Sequence, residues 1–285
     1  MNIAISGAGG FIGKQLALYF QAKGNEVLSI SRISSGTAAS EIVRELSGVD
    51  VIINLAGAPI VGRWTRSYKK ALLGSRVNTT RKIVEAISLM DKKPQLLISA
   101  SAVGIYSQEG EQTESNFKMA DDYLGQICLE WELEAKKAVP FTRVVITRFG
   151  IVLGKEGGML KRLLPLFRKG LGGKIASGRQ GFSWIHIYDV IQAFDFIIEN
   201  PKVSGEFNLT APNVVDNKRF TRLLARSLGK SAIFQVPSFA LKFLFGEGAI
   251  ALLGGQFALP KHLMDSGFQF SYPDLKSALE DIVAN

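Results

Sequence analysis

Asn2-Ile3-Ala4-Ile5-Ser6-Gly7-Ala8-Gly9-Gly10-Phe11-Ile12-Gly13-Lys14 is the stretch that decides the fold of this chain. Asn2–Ser6 has the length and apolar content of a buried strand. From Phe11 onward, apolar residues recur at helical spacing. Between the two, glycines stand at 7, 10 and 13 in the pattern G-x-x-G-x-x-G. In a strand–turn–helix unit, Gly7 permits the sharp turn, Gly10 lets the backbone approach a pyrophosphate, and Gly13 allows helix and strand to pack closely. The helix start, at Phe11 and Ile12, then turns free N–H groups and the positive end of its dipole toward phosphate oxygens. The bland alternative is a tight turn without a ligand. A magnesium-dependent phosphate loop is excluded. Ala8 stands where its first glycine belongs, and Gln15 follows Lys14 where Ser or Thr would hold the metal.

Working outward, apolar runs at Glu26–Ser31, Asp50–Leu55, Leu96–Ala100 and Val144–Arg148 alternate with helical patterns at Phe11–Lys23, Ser67–Met90 and Asp121–Lys137. The runs are nearly continuous in apolar residues, as strands covered by helices on both faces are. The alternation predicts an α/β fold, a Rossmann-type doubly wound parallel sheet with right-handed crossovers. Between Ile33 and Val49 a strand-plus-helix unit barely fits, so the third strand of the usual arrangement is expected to be vestigial or missing. After about residue 150 the pattern changes. Arg162–Leu171, Val190–Glu199 and Asn217–Leu228 read as helices, and Pro237 and Pro260 punctuate the tail. The expected organisation is a cofactor-binding domain over 1–150, joined again by elements of 180–210, and a smaller substrate-side part with a C-terminal extension over 151–285.

The end of the second strand bears on which dinucleotide is held. A carboxylate there would bond a ribose 2′-hydroxyl and repel a 2′-phosphate. Here Ser31-Arg32 stands instead, and a guanidinium can pair with that phosphate through two hydrogen bonds. NADP(H) is the expected cofactor; otherwise Arg32 is an exposed loop cation.

The chain has 285 residues and a net charge of +9. It lacks a run of five like charges and any zinc-finger or RNA-binding motif, so no nucleic-acid partner is expected. A solvated basic surface, or an anionic cofactor or substrate, accounts for the charge. The single cysteine, Cys128, cannot form an internal disulfide and reads as a small buried apolar residue. No apolar stretch reaches the ~18 residues of a membrane span, and the first residues do not resemble a signal peptide. A cytoplasmic protein without a membrane partner is expected. With only His186 and His262 present, no metal site is expected.

These motifs resemble the extended short-chain dehydrogenase/reductase superfamily, in its NAD(P)-dependent epimerase/dehydratase branch. The resemblance adds Asn54-Leu55-Ala56-Gly57, Ser99-Ala100-Ser101-Ala102-Val103-Gly104-Ile105-Tyr106, Arg148-Phe149-Gly150-Ile151-Val152-Leu153-Gly154 and Ser183-Trp184-Ile185-His186-Ile187-Tyr188-Asp189-Val190 to the glycine loop. Within the branch, Gly57-Ala58-Pro59-Ile60, Ser75-Arg76-Val77 and the extension from Leu253-Gly254-Gly255-Gln256 to Pro273 resemble an atypical subgroup of poorly known function. The resemblance implies that Leu55, Ala56 and Gly57 line the adenine and ribose side and that Arg76 reaches the phosphate region. It implies that Ser99 joins the cofactor contacts and that Ile151 touches the nicotinamide end. It places Ser101 at the position of the superfamily's catalytic serine and His186 in a structural turn. It also implies a homodimer formed through the helices around Ser67–Met90 and Asp121–Lys137.

One departure stands out. The superfamily's acid/base pair is Tyr-x-x-x-Lys, and its nearest match is Tyr123-Leu124-Gly125-Gln126-Ile127, with isoleucine in place of lysine. Without a cation nearby, a phenol of pKa ~10 is a poor base at neutral pH. Lys136 and Lys137 lie about three turns further on. Two function classes therefore stay open. One is an NADP(H)-dependent oxidoreductase or epimerase-like enzyme acting on a small substrate. An anionic substrate would suit Lys161, Arg162, Arg168, Lys169, Lys174 and Arg179. The other is a cofactor-binding sensor or scaffold without turnover.

Overall fold

In the computed structural model, which describes residues 1–30, 33–34 and 36–284, six strands form the central sheet. They are β1 (Asn2–Ser6), β2 (Glu26–Ile30), β3 (Val51–Asn54), β4 (Leu96–Ala102), β5 (Arg143–Phe149) and β6 (Gly205–Leu209). Their order is β6-β5-β4-β3-β1-β2, every neighbouring pair parallel. The chain folds as a Rossmann-type α/β sheet. After β2 it passes through only a short helix, α2 (Ala39–Glu45), and returns to the other side of β1 as β3, in register Ile3 to Val51. Among the described residues no strand lies outside β2, so the shortage of chain between 33 and 49 leaves β2 as the edge.

Helices cover both faces. On one face α1 (Phe11–Ala22) and α6 (Ile187–Glu199) bury Leu16, Phe20, Val190, Phe194 and Ile197 against Ile3, Ile5 and Ile53. On the other, α2 and α3 (Arg66–Leu89) bury Ile42, Ile83 and Ile87 against Ile52 and Leu97. Each such side chain taken fully out of water contributes ~1.5–3 kcal/mol of transfer free energy. The double cover explains why Val51–Asn54 is buried at every position, whereas the edge strand β2 is largely exposed. Helix α4 (Tyr123–Lys136) lies beside α3 and sets Trp131 against Val77 and Ala100.

A further apolar cluster gathers α5 (Gly158–Arg168), α7 (Asn217–Ser227) and the last helix, Leu275–Ala284, around Phe182 and Trp184. The expected helix Arg162–Leu171 needs correction: α5 starts four residues earlier and ends at Arg168. The amides of Gly170 and Leu171 fold back onto the carbonyls of Phe167 and Leu166, which closes the helix before Leu171. The chain then adds α8 (Ser238–Phe245) and a strap. The strap pairs Phe257–Ala258 with Glu111–Gln112 and sets Gly248 against Gly62 and Trp64. Among the described residues no helix is long and apolar enough to cross a membrane.

Candidate functional site: the glycine loop and the end of β4

The loop between β1 and α1 works as its spacing suggests. Gly7 sits at φ +76°, a left-handed conformation that L side chains rarely adopt, and a Cβ there would lie 3.1 Å from the Leu55 backbone. A Cβ on Gly13 would lie 2.4 Å from the Gly7 carbonyl oxygen, so only glycine lets α1 come this close. Gly9 and Gly10 face the open side: a Cβ at Gly9 meets nothing, and at Gly10 only the Gly7 oxygen at 3.2 Å. Gly10 caps α1, and helix geometry leaves the amides of Phe11, Ile12 and Gly13 without intrahelical acceptors. The Phe11 ring turns away from the loop and fills a notch against Gly154 and Gly157.

In front of this loop lies a cleft of ≈ 710 Å³. Gly7, Ala8 and Gly9 form its base, Ala56, Gly57 and Ala58 one wall, and Ser29, Ile30, Ile33 and Ser34 the end beyond β2. The third wall is the small-residue face of α3, with Ala71, Gly74, Ser75, Asn78 and Thr79. No carboxylate lines the cleft among the described residues. Ser31 and Arg32, which the sequence offers for the 2′-phosphate, lie outside the described residues. The α3 wall was not singled out from the sequence, although its small and polar residues recur at three- and four-residue spacing on one helix face. Behind the cleft a buried polar stitch fixes the strand ends. Ser6 Oγ donates to Asn54 Oδ1 at 2.6 Å, Asn54 Nδ2 to Thr80 Oγ1 at 2.8 Å, and Trp131 Nε1 to the same hydroxyl at 2.9 Å.

Arg76 lies behind the wall rather than in it. Its guanidinium backs Gly57, where a Cβ would come within 3.0 Å, and donates to the carbonyls of Leu72 and Ala58 at 3.0 and 2.9 Å. Burial lowers its pKa. Leu55 packs between the two core faces, beside Val77 and Trp131 and against the α1 side. Ile151, half-buried, opens a two-stranded ladder with Trp184, just past the end of β5.

Ser99 and Ser101 stand on β4, both buried. Ser101 Oγ donates to Glu132 Oε1 at 2.7 Å. Glu132 is also gripped by Arg148, Nε at 2.8 Å and a terminal nitrogen at 2.7 Å. The other terminal nitrogen of Arg148 donates to the Tyr106 hydroxyl at 2.8 Å, and Tyr106 donates to Asn208 Oδ1 at 2.7 Å. Glu132 and Arg148 are each 3% exposed, so this is a desolvated ion pair with every contact directional. Burial alone would lower the Arg148 pKa; Glu132 and Tyr106 reverse that and hold the guanidinium charged. Burial pushes the Tyr106 phenol up to about 12 against the opposing pull of Arg148. Glu132, Arg148 and Tyr106 were not assigned roles from sequence. Glu132 and Arg148 are sixteen residues apart on different elements, and nothing in the local pattern pairs them.

Tyr123 heads α4 but faces α3. Its hydroxyl donates to the Lys69 carbonyl at 2.8 Å, and its ring meets Trp64 edge-on at 5.8 Å. Burial raises its pKa, and the Lys69 ammonium over the ring only partly opposes that. Cys128 is buried, its thiol pushed up to about 12 by desolvation. His186 caps α6: its Nδ1 accepts the Tyr188 amide at 3.1 Å. The ring proton therefore sits on Nε2, which faces the Asp281 carboxylate at 3.4 Å. Among the described residues no group of three His, Cys, Asp or Glu is placed to hold a metal ion.

Comparison with known proteins bears on this architecture. Residues 3–210 match the NAD dependent epimerase/dehydratase family, and residues 236–282 match a domain of unknown function, DUF1731. The epimerase family protein YfhF of Bacillus subtilis is 38% identical over 100% of this chain and 99% of its own length. A chloroplastic epimerase family protein of Arabidopsis thaliana is 36% identical, over 99% of this chain and 87% of its own. A human epimerase family protein crystallised with NADPH is 34% identical and superposes with a TM-score of 0.94 over 100% of both chains. With its strand–glycine–helix start and the sheet that follows, this chain belongs to the NAD dependent epimerase/dehydratase family.

Proposed function

We propose that the cleft binds NADP(H), with the pyrophosphate on the Gly7–Gly13 loop and the adenosine end between Ser29, Ser34 and the α3 wall. The observation that carries this reading is the lining itself: the Gly7–Gly9 loop that leads into a helix start, hydroxyls and an amide side chain, and no carboxylate among the described residues. A carboxylate bonded to a ribose hydroxyl would mark an NAD site, and Arg32 follows β2 in sequence where such a group would stand. The NADPH bound by the human relative agrees with this choice. The test is calorimetry with NADPH and NADH on the wild type and on Arg32→Glu. NADPH is expected to bind more tightly by roughly ten- to a hundredfold, the worth of one or two charge-assisted hydrogen bonds. Equal binding of both by the wild type, or an unchanged preference in the variant, removes Arg32 from the site.

The family's chemistry supports reading the protein as an oxidoreductase or epimerase-like enzyme on a small substrate. The bound nicotinamide would supply hydride transfer. The chain's own residues would position the reactants and hold protons. Ser101, its hydroxyl donated to Glu132, is the side chain at the superfamily's serine position. To donate toward a substrate it would exchange that bond while Arg148 keeps its two hydrogen bonds to Glu132. Tyr123 has no role in this scheme, because its proton is committed to the Lys69 carbonyl. A sensor or scaffold without turnover is the second reading, favoured by that same placement of Tyr123. The cations expected to meet an anionic substrate, Lys161, Arg162, Arg168, Lys169 and Arg179, are all exposed, with Lys174 half-buried, so they do not select a substrate charge by themselves.

A further inference from the structure

The positive charge of this chain is concentrated. Residues 157–180 carry six Lys or Arg and no Asp or Glu, and residues 217–245 carry another six and none. The whole chain is only +9, so its entire cationic excess lies in these two segments. The fold brings them together. Helix α5 packs on α7, α7 packs on the strand Gly173–Ile175, and that strand pairs with Phe234–Val236, placing Gln235 opposite Lys174. Eleven of the twelve cationic side chains are exposed. Glu247, the first carboxylate after the second segment, is taken up by Lys69 at 2.7 Å.

The same lobe carries apolar side chains held in water. Ile233 is 80% exposed, Phe239 74% and Phe243 81%, and Phe234 and Leu244 are exposed as well. Phe239 and Phe243 are four residues apart on α8 and share a face. Of the eight α8 side chains only Leu241 is fully buried, with Ala240 and Phe245 half-buried, so the helix rests on the fold by a narrow edge and turns Phe239 and Phe243 outward. Lys242 lies between them in sequence and Lys230 precedes Ile233. Scattered exposed apolar residues need no explanation, but a run of large ones beside two carboxylate-free cationic segments does, even though Asp216 caps α7 and the last helix, packed on α7, adds Glu280 and Asp281.

We infer that this lobe lies on the surface of an anionic lipid bilayer, with Phe239 and Phe243 at the edge of the hydrocarbon and the lysines and arginines among the phosphates. Charge complementarity selects this occupant. A symmetric pairing of two copies through the patch would set twelve cations against twelve. A nucleic acid would answer the charge, but aliphatic Ile233 and Leu244 have no bases to stack on and gain only from hydrocarbon. An interfacial helix with Phe and Leu on one side and basic residues around it has this composition. The lack of a spanning helix does not bear on it, because a surface-lying lobe needs none.

The test is co-sedimentation of the full-length protein with vesicles of phosphatidylcholine alone and with about one-third phosphatidylglycerol added, at low and high salt. Binding is expected only to the anionic vesicles and is expected to weaken as salt screens the phosphates. Phe239→Ser/Phe243→Ser is expected to lower the partition coefficient by about tenfold or more. Lys230→Glu/Lys242→Glu should lower it as well. Both pairs are exposed, so melting temperature and NADPH affinity should stay at wild-type values. No binding to anionic vesicles overturns the inference, as does undiminished binding by the Phe→Ser variant. Tight duplex-DNA binding that outcompetes the vesicles and ignores the Phe→Ser change would make the lobe a nucleic-acid surface instead. A dimer in sedimentation velocity that this variant dissolves would make it a self-association face.

Discussion

The two ends of the candidate site are built from different materials. At the proposed cofactor end, what the fold offers is backbone: a positive-φ glycine, two glycines facing open space, and the uncapped amides of a helix start. No charged side chain lines that cleft among the described residues. At the end of β4 the reverse holds. A carboxylate, a guanidinium, a phenol and a hydroxyl from three separate stretches of sequence are locked together out of water. A backbone site needs only glycines and a helix start, which sit side by side in the chain. A buried side-chain network needs partners that only the finished fold assembles. It also depends on each member, because removing one leaves another's charge or dipole without a partner.

The largest expected effect breaks the charged end. Glu132→Ala should leave Arg148 buried and unpaired and cost about 3–5 kcal/mol of unfolding free energy, read by urea denaturation. A loss below about 1 kcal/mol would show that water reaches Arg148 in the native state. The cofactor end should answer the opposite way. Gly10→Val is expected to keep the fold, since its Cβ meets only one oxygen at 3.2 Å, yet to weaken NADPH by about a hundredfold, roughly 3 kcal/mol. Gly13→Val, with a Cβ 2.4 Å from the Gly7 oxygen, should instead damage the fold itself. If Gly10→Val binds NADPH normally, the pyrophosphate does not lie on this loop.

Smaller effects sharpen the contrast. Tyr123→Phe removes a hydrogen bond to Lys69 and should cost about 1 kcal/mol of stability. In any turnover assay it should lower kcat by less than the ~10²-fold usual for loss of a general acid or base. A larger kcat loss at unchanged NADPH affinity would return the phenol to the chemistry. The smallest effect concerns pH. Burial holds the His186 pKa below its ordinary value, so the unfolded chain takes up that proton more readily than the folded one. Stability from this residue is complete above pH ~6.5 and declines as pH falls below it. His186→Asn keeps an acceptor for the Tyr188 amide and should flatten the decline in melting temperature between neutral and mildly acidic pH. An unchanged slope would mean that the Asp281 contact offsets the burial.

The contrast also explains what was legible in the sequence. The start of the sheet, the edge position of β2 and the turn at Gly7 follow from local spacing, because each depends on neighbours within one strand–helix unit. The α3 wall was half-visible: its Ser75, Asn78 and Thr79 repeat on one face, but the same pattern serves any solvent-facing helix. The Glu132–Arg148 pair was invisible, since a glutamate in a charged helix reads as a solvated one until the strand across from it is known. Ser101 was found by resemblance, and its carboxylate partner was not.

The Phe11 ring gives the two halves a mechanical link. Phe11 is the first residue of α1, and its ring is wedged against Gly154 and Gly157 in the loop that leads into α5. A side chain that rigid works as a dowel: the loop cannot swing without levering the helix start, and the helix start cannot shift without dragging the loop. Stiffness imposed at one end is thus transmitted to the other through a single ring, without a hinge or a change of fold.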